Sequence, residues 1–336
     1  MIRKAFCSKP YAIHLNNKQR SFSATHLRNN CQSLATLPKA SDPLYKRLKK
    51  VFIAALHSYG SGLKSIENKV LNELENVREK INGFKGKEFD FDVIIKRSLT
   101  NIMSLVNEQS IRHNKGIVDY YLAEQTKQKL SGNEPFLTDE RIKTQLSETI
   151  DAEIQTKIQE ELDRVVGNNR SPTFSDRLNC HYLMAFEKEV HRLLPSMPRL
   201  LPHYCYDDIV FEGYFVPKGS IIVPNIWSVH HDEKLWRDPW NARPERFLDE
   251  DGFLLPSEHI YCSSVIPFGL GDRRCTAETY AKARHFLFLS TLLQRYTFKF
   301  AEGSIKRSCD PRNVDDFVVD IFFRVKPISV QAVERV

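Results

Sequence analysis

The sequence contains no run of 18 apolar residues and no apolar segment of the kind that a secretory signal peptide requires. We therefore expect neither a transmembrane helix, which needs about 20 consecutive apolar residues, nor a secretory leader. It also has no C-x-x-C pair and no zinc-finger spacing, although seven cysteines are present. This odd, scattered set favours a reducing compartment over a disulfide framework. The seven are Cys7, Cys31, Cys180, Cys205, Cys262, Cys275 and Cys309.

Acidic residues are absent from residues 1–41, which carry seven Lys or Arg. This segment accounts for the whole net charge of +7, because the rest of the chain holds 42 basic and 42 acidic residues. A basic, Ser- and Asn-rich segment is compatible with a mitochondrial transit peptide, but its apolar residues lack an amphipathic period. A disordered arm or the remnant of a larger N-terminal region is the favoured interpretation. The neutral remainder has no nucleic-acid-binding motif, so we expect no nucleic acid partner.

One cysteine lies in a distinctive run at residues 267–278, which reads P-F-G-L-G-D-R-R-C-T-A-E. The small and apolar residues of the following segment recur at helical intervals of four, seven and four; they are Ala277, Ala281, Phe288 and Leu292. Cys275 is therefore predicted to lie in a loop against a helix N-terminus. The amide groups there, with Arg273 and Arg274, lower a thiol pKa and favour a thiolate, which is a nucleophile or a metal ligand. The alternative is a buried core cysteine, the commoner fate of a free cysteine taken alone.

Four residues of the run form the pattern F-x-x-G-x-R-x-C; they are Phe268, Gly271, Arg273 and Cys275. This pattern resembles the haem-binding signature of the cytochromes P-450, the haem-thiolate monooxygenases. The resemblance implies that Cys275 is the fifth ligand of the haem iron, and that its thiolate helps to cleave the O–O bond. It also implies that Gly271 lets the backbone pass close to the porphyrin, Arg273 pairs with a haem propionate and Phe268 screens the sulfur. Ala277 stands where the family usually has glycine, which is a mild departure.

Two further motifs of that family occur upstream of the cysteine run, in the family's order. Glu189 and Arg192 form E-x-x-R, and their spacing of three places both side chains on one helix face. Residues 244–247 read P-E-R-F and supply Arg246. By resemblance, these three charged residues form a buried triad behind the haem, whose role is to lock the haem loop and not to do chemistry. An E-x-x-R match alone is also typical of a surface ion pair.

Three other residues are candidate contacts of the haem propionates. The Pro202-His203 dipeptide matches the family's P-H motif, which brings a histidine to a propionate, and an ordinary loop histidine is the alternative. Tyr45 and Lys49 stand where the family carries W-x-x-x-R. Both side chains can donate a hydrogen bond, but lysine does not reproduce the planar fork of arginine at a carboxylate. A solvated basic face explains this pair about as well.

Hydrophobic periodicity predicts the secondary structure around these motifs. Helices are predicted over 42–81 with a break at Gly60 and Gly62, over 89–106, over 117–130, over 153–170 with Gly167 as the stop, and over the segment that carries E-x-x-R. Residues 209–224 predict a hairpin with a P-K-G turn at 217–219, and 296–330 predict terminal strands. The fold class is mainly α with small β-sheets (α+β), an incomplete cytochrome P-450 fold, in a single domain over 42–330.

The resemblance is nearly continuous from about 153 to 327, but internal deletions are predicted near 107–117 and 150–154. In the family, a long helix that carries A-G-x-x-T crosses the haem before the second of these points, and no A-G pair occurs near it here. Loss of that helix would remove a wall, a proton relay and most of the substrate pocket. It would also cost more free energy than the usual stability margin of about 5–15 kcal/mol. No residue is therefore assigned as the proton donor, and no catalytic residue is predicted.

The resemblance implies a haem-dependent monooxygenase that inserts one oxygen atom from O2 into a small apolar substrate such as a steroid, fatty acid or xenobiotic. Haem b would be the cofactor, and NADPH would supply electrons through a reductase partner. By resemblance to animal microsomal enzymes, we expect the cytosolic face of the endoplasmic reticulum membrane, with the mitochondrion as the alternative. The predicted deletions leave a second hypothesis, a catalytically inactive haem-binding or misfolded fragment that arises from splicing, a gene-model error or a degenerate copy.

Overall fold

The computed structural model describes residues 63–91, 93–95, 98, 151–304, 310–319 and 323–335, together with the single positions Pro43, Lys46, Lys49 and Lys50, which are helical. Several sequence predictions lie outside these residues: the basic segment 1–41, Tyr45, the break at Gly60 and Gly62, the helix over 117–130 and the deletion near 107–117. Within the described ranges, no helix is both long enough and apolar enough to cross a membrane.

The described ranges contain helices and short antiparallel strands, which confirms the predicted fold class. The α-helices are α1 (Leu63–Gly83), α2 (Ala152–Val165), α3 (His181–Leu193), α4 (Ile226–His230), α5 (Glu233–Trp236), α6 (Ile260–Ser264) and α7 (Glu278–Arg295). The strands are β1 (Phe89–Asp90), β2 (His203–Tyr204), β3 (Ile209–Phe211), β4 (Tyr214–Val216), β5 (Ile221–Ile222), β6 (Tyr296–Phe300), β7 (Phe317–Val319), β8 (Phe323–Val325) and β9 (Ser329–Glu334). Short 3-10 segments occur at Phe174–Leu178, Pro244–Phe247, Gly271–Arg273 and Val314–Asp316.

Helix α7 lies at the centre of the main hydrophobic core. Nearly every residue between Tyr280 and Gln294 is buried, because α1 and α2 pack against this helix. Helix α1 contributes one apolar face, on which Val70, Leu74 and Val77 are at most 2% exposed. Helix α3 packs against α2 and against the Pro244–Phe247 segment. The helix that follows the cysteine run is therefore held on several sides.

Helix α2 begins one residue before the predicted segment 153–170 and ends at Val165, just before the predicted stop at Gly167. The Asp151 carboxylate accepts hydrogen bonds from the N–H groups of Glu153 and Ile154, which caps the first turn. Gly167, with φ of +71°, ends it, since glycine takes this conformation without strain. The Gln155 side chain exchanges two hydrogen bonds with the backbone of β6. Helix α2 is thus fastened to the sheet that follows α7.

The largest described sheet joins distant parts of the chain in the antiparallel order β1-β9-β6. Val330 of β9 is flanked by Phe89 on one side and Phe300 on the other. The helix predicted over 89–106 is therefore wrong for its first two residues, whereas the described residues from Phe91 to 98 are helical. The alternation F-D-F-D, which has the strand period of two, accounts for the difference. Residues 99–106 of that prediction lie outside the described ranges.

The hairpin predicted over 209–224 forms, but its turn lies elsewhere. Strands β3 and β4 are joined at Glu212-Gly213, and Phe211 pairs with Tyr214 across the turn. Both turn residues have positive φ, +50° and +84°, as a two-residue hairpin turn of the favoured twist requires. The P-K-G segment instead connects β4 to β5, which pairs with β2. The predicted P-K-G hairpin turn is therefore wrong.

Candidate functional site

The run around Cys275 folds as tight turns that precede α7. The Gly269 N–H donates to the Ile266 carbonyl at 3.1 Å, and the Cys275 N–H donates to the Phe268 carbonyl at 2.8 Å. Gly269 and Gly271 have φ of +76° and +70°, a region of backbone conformation that favours glycine. These two glycines allow the chain to reverse, and the Cys275–Phe268 hydrogen bond closes the loop. We call residues 266–275 the cysteine loop.

Cys275 differs in exposure from the other three cysteines that the structure describes. Cys180, Cys205 and Cys262 are buried, whereas Cys275 is half-buried. Burial raises the thiol pKa of the three buried cysteines, to about 12 for Cys180. A protonated, buried thiol is chemically inert. Among these four, Cys275 is therefore the cysteine placed to act as a ligand or a nucleophile, and it is not a fully buried core residue.

The cysteine loop runs directly into the first turn of α7. Ala277 is the N-cap residue, and its carbonyl accepts from the Ala281 N–H at 2.9 Å. The four residues predicted to share one helix face are all at most 6% exposed: Ala277, Ala281, Phe288 and Leu292. The Arg274 guanidinium lies 3.1 Å from the Glu278 carboxylate in an exposed ion pair. Because Glu278 pairs with Arg274, it offsets part of the positive charge that was expected to lower the pKa of the Cys275 thiol. The lowered pKa of this thiol therefore stays a prediction.

A lysine from far upstream meets the cysteine loop. The Lys49 ammonium donates to the Asp272 carbonyl at 2.6 Å. Burial lowers the pKa of Lys49, Asp272 raises it, and Arg274 and Arg273 lower it. Lys49 is thus close enough to interact electrostatically with both arginines. Arg273 is buried. Three cationic side chains therefore lie at this loop, which suits a ligand that carries carboxylates.

His203 lies in a strand next to the cysteine loop. It pairs with Ile222 across β2 and β5 and is 6% exposed. Ile222 packs in a small apolar cluster around Cys205, which Leu270 of the cysteine loop also joins. His203 of the P-H motif is therefore a buried strand residue beside the loop, and it is not an ordinary loop histidine.

The residues of E-x-x-R and P-E-R-F form one buried hydrogen-bonded cluster. Arg192 donates to both carboxylate oxygens of Glu189, at 2.7 and 2.8 Å. Arg246 donates to the same carboxylate at 3.3 Å, and the Arg243 N–H does so at 2.9 Å. Glu189 and Arg192 are fully buried, so these are not surface ion pairs. Burial lowers the pKa of Arg246, and Glu189 raises it.

The remaining donors of the two arginines are taken up by backbone carbonyls. Arg192 donates to the carbonyls of His230 and Pro239 at 2.9 and 2.7 Å. Arg246 donates to the carbonyls of residues 236, 237 and 238. A buried ion pair is stable only when its other polar atoms are satisfied in this way. The cluster therefore fixes the backbone between α4 and the Pro244–Phe247 segment.

His230 connects this cluster to the cysteine loop, and the sequence analysis did not identify it. Its carbonyl accepts from Arg192, and its ring Nε2 accepts from the Ile266 N–H at 3.1 Å. Ile266 is the first residue of the cysteine loop, and His230 is fully buried. The only signal in the sequence is a polar pair, His230-His231, at the end of an amphipathic segment. The charged cluster thus reaches the loop through one histidine.

Phe268 lies between the cysteine loop and the neighbouring helices. Its ring is 5.7 Å from the Lys282 ammonium and meets the His191 ring edge to face, with centroids 5.7 Å apart. It is half-buried. Its side chain therefore packs against α3 and α7 at the base of the loop that carries Cys275.

Comparison with known proteins relates this chain to one family. The model of the cytochrome P450 family matches residues 150–326. The chain is 40% identical to rat (Rattus norvegicus) cytochrome P450 2U1 over 153 residues, which are 46% of this chain and 28% of that protein. It is 45% identical to the steroid 17-alpha-hydroxylase/17,20 lyase of Ictalurus punctatus over 151 residues, 45% of this chain and 29% of that protein. It is 42% identical to cytochrome P450 1A1 of Felis catus over 151 residues, again 45% and 29%.

The chain belongs to the cytochrome P450 family, since the family model matches more than half of its length. Its matched segment spans less than a third of the length of each of these three relatives. The donor set of the cysteine loop fits the family's haem: a half-buried thiol, a buried Arg273 and a lysine at the Asp272 carbonyl. A thiol is a suitable ligand for the iron of a porphyrin. The two cations can pair with the two carboxylates that the porphyrin carries.

Proposed function

We propose that this chain binds haem b through Cys275 and works as a haem-thiolate monooxygenase. The observation that carries the proposal is the cysteine loop: a half-buried thiol on a loop closed by the Cys275–Phe268 hydrogen bond and tied by His230 to a buried charged cluster. Haem bound there would supply iron for the activation of O2, and thiolate ligation favours cleavage of the O–O bond. The reaction would insert one oxygen atom into a small apolar substrate.

Each residue near the loop has a role in this proposal. Arg273 and His203, both buried, hold haem propionates, and Lys49 reaches the same edge from its contact with the Asp272 carbonyl. Phe268 covers the sulfur from the side of α3, and Gly271 keeps the backbone close to the porphyrin. No catalytic proton donor is assigned among the described residues.

The charged cluster acts on the haem indirectly. Glu189, Arg192 and Arg246 are positioning residues, because their hydrogen bonds end at backbone carbonyls and at each other. Through His230 they hold the first residue of the cysteine loop in place. Their proposed task is to keep Cys275 at a fixed distance and angle from the iron.

The relatives guide the finer assignment. One of them is a steroid hydroxylase by name, so we propose a steroid, a fatty acid or a xenobiotic as the substrate class. Electrons would come from NADPH through a reductase, and the place of action would be the cytosolic face of the endoplasmic reticulum membrane.

Haem ligation is tested by the carbon monoxide difference spectrum of the reduced full chain, expressed with haem supply. We expect the long-wavelength Soret band of thiolate ligation. Cys275→Ala should abolish this band, whereas Cys262→Ala, which changes a buried cysteine near the loop, should keep it. A band of the neutral-ligand type in the wild type, or a thiolate band that survives in Cys275→Ala, would contradict the proposal.

Monooxygenase activity needs a separate test, because haem binding alone does not establish turnover. The haem-loaded chain would be mixed with NADPH and a purified microsomal reductase, and a panel of steroids, fatty acids and xenobiotics would be screened. The expected result is NADPH consumption that depends on the substrate and is matched by a hydroxylated product. A normal thiolate band without any product would favour the inactive haem-binding alternative.

A further inference from the structure

A second cluster of potential ligands contacts Phe268 of the cysteine loop through His191, and it consists of Glu187, His191 and His285. Glu187 and His191 are four residues apart on α3 and therefore share a face. His285 comes from α7. All three are buried, with exposed fractions of 3%, 6% and 0%. One ligand atom from each lies within 4.8 Å of the other two.

We propose that Glu187, His191 and His285 bind one divalent cation, with zinc as the preferred ion. Two imidazoles and one carboxylate are a ligand set that zinc takes, at bond lengths of about 2.0–2.2 Å. Tetrahedral bonds of that length set the ligand atoms about 3.4 Å apart. Ligand atoms as far apart as 4.8 Å must therefore approach one another by about 1.4 Å when the ion binds.

The two oxygens of the Glu187 carboxylate face different neighbours. One lies 3.7 Å from the Arg177 guanidinium, and the other lies 3.9 Å from Nδ1 of His285. Arg177 thus orients the carboxylate, as groups behind the ligands commonly do at metal sites. The ring centroids of the two histidines are 5.8 Å apart. The three side chains are therefore close enough to share an ion once they shift inward.

An ion at this point would join α3 to α7, the two helices that flank the cysteine loop. Its nearest link to that loop is the edge-to-face contact of His191 with Phe268. The inference doesn't depend on haem binding, because none of its three residues belongs to the proposed haem site.

The test is the zinc content of the full chain, expressed with haem supply, loaded with zinc and then dialysed against zinc-free buffer. Zinc is measured by mass spectrometry separately from iron, so haem does not contribute. We expect about one zinc per chain in the wild type, and a loss of most of this zinc in Glu187→Gln and in His191→Gln, each of which lacks one of the three ligands. The control His259→Gln, a half-exposed histidine outside the cluster, should retain wild-type zinc. Cys275→Ala should also retain it, which excludes the thiolate as the zinc ligand.

A second measurement covers the case in which a variant folds poorly. Zinc bound to the native state should raise the Tm of the wild type, and a chelator should reverse the rise. Cobalt in place of zinc should give visible absorption bands in the wild type and in His259→Gln, but not in His285→Leu. The leucine is chosen because an apolar side chain suits this buried position. Wild-type protein without zinc above the buffer level, or variants with wild-type zinc and cobalt spectra, would overturn the proposal.

Discussion

Two faces of helix α3 carry buried charged side chains whose contacts differ. On one face, Glu189 and Arg192 form direct hydrogen bonds of 2.7 and 2.8 Å. On the other, Glu187 lies 3.7 Å from Arg177 and 3.9 Å from His285. The first face is a closed network of short contacts, whereas on the second the ligand atoms of Glu187, His191 and His285 lie within 4.8 Å of one another.

The difference teaches what each face can do. A network in which the arginines already donate to the carboxylate and to backbone carbonyls can hold structure, but it has little capacity for a new ligand. A carboxylate and two imidazoles whose ligand atoms lie within 4.8 Å of one another have that capacity after an inward shift. Helix α3 would therefore support the cysteine loop in two ways. One is the hydrogen-bonded cluster of Glu189 and Arg192, and the other is the contact of His191 with Phe268, which would depend on the ion. The predictions below test the fixed side of this comparison.

The largest effect is expected from Glu189→Ala. The change leaves the Arg192 and Arg246 guanidinium groups buried without their carboxylate, and breaking a buried pair in this way costs about 3–5 kcal/mol. Urea unfolding of the haem-loaded chain should show this loss in the free energy of unfolding. The thiolate-type carbon monoxide band should also weaken, because the cluster holds the first residue of the cysteine loop through His230.

The matched control for that experiment is Glu153→Ala. Glu153 also pairs with a cation, Lys157 at 2.7 Å, but its side chain is 77% exposed. An exposed ion pair of this kind contributes at most about 0.5 kcal/mol. If both variants lost the same free energy of unfolding, the buried cluster would not have the structural role that its geometry indicates.

A smaller effect is expected from His230→Phe. The ring of phenylalanine fills similar space but cannot accept the hydrogen bond of the Ile266 N–H, and a buried donor left without its partner costs about 1–3 kcal/mol. His230→Gln keeps an acceptor on a side chain of similar reach and should lose less. The measurement is the temperature at which each variant loses the thiolate-type band. Equal behaviour of the two variants would show that His230 does not anchor the loop.

The parts of this site that were predictable from sequence are the local ones. The spacing of three between Glu189 and Arg192 fixes a shared helix face, and Cys275 just before an apolar period fixes its place at the start of α7. The contact of His230 with Ile266 joins residues 36 positions apart, and nothing in the local pattern encodes it. The same holds for Glu187 and His285, which only the packing of α3 against the α7 region brings together.

The errors in the fold have an equally physical origin. The P-K-G segment contains the residues most typical of turns, yet the hairpin turns at Glu212-Gly213. Glutamate at a φ of +50° is uncommon, so residue preference points to the wrong turn. Strand β1 was missed because Phe89 forms a strand only by pairing with Val330, more than 200 residues away. The first error therefore concerns a local turn conformation, and the second a strand partner that is remote in sequence.

The smallest effect concerns an ion pair at the edge of the core, and it depends on pH. Arg170 donates to both oxygens of Asp176 at 2.7 and 2.6 Å, and these hydrogen bonds lower the pKa of the Asp176 carboxyl. The unfolded state therefore binds the proton at a higher pH than the folded state does. The contribution of this pair to stability is fully present above the unfolded pKa of about 4 and is lost as pH falls below it.

The expected loss between pH 5 and pH 3 is about 1 kcal/mol, because Arg170 is 46% exposed and solvent screens the pair. Asp176→Asn should be less stable at pH 7 by a similar amount, since the amide cannot form the charged pair. Its free energy of unfolding should also fall less steeply than that of the wild type over this acid range. Urea unfolding at a series of pH values measures both quantities. Parallel curves for the two proteins would show that Asp176 titrates alike in the folded and unfolded states, and that its contacts with Arg170 add nothing to stability.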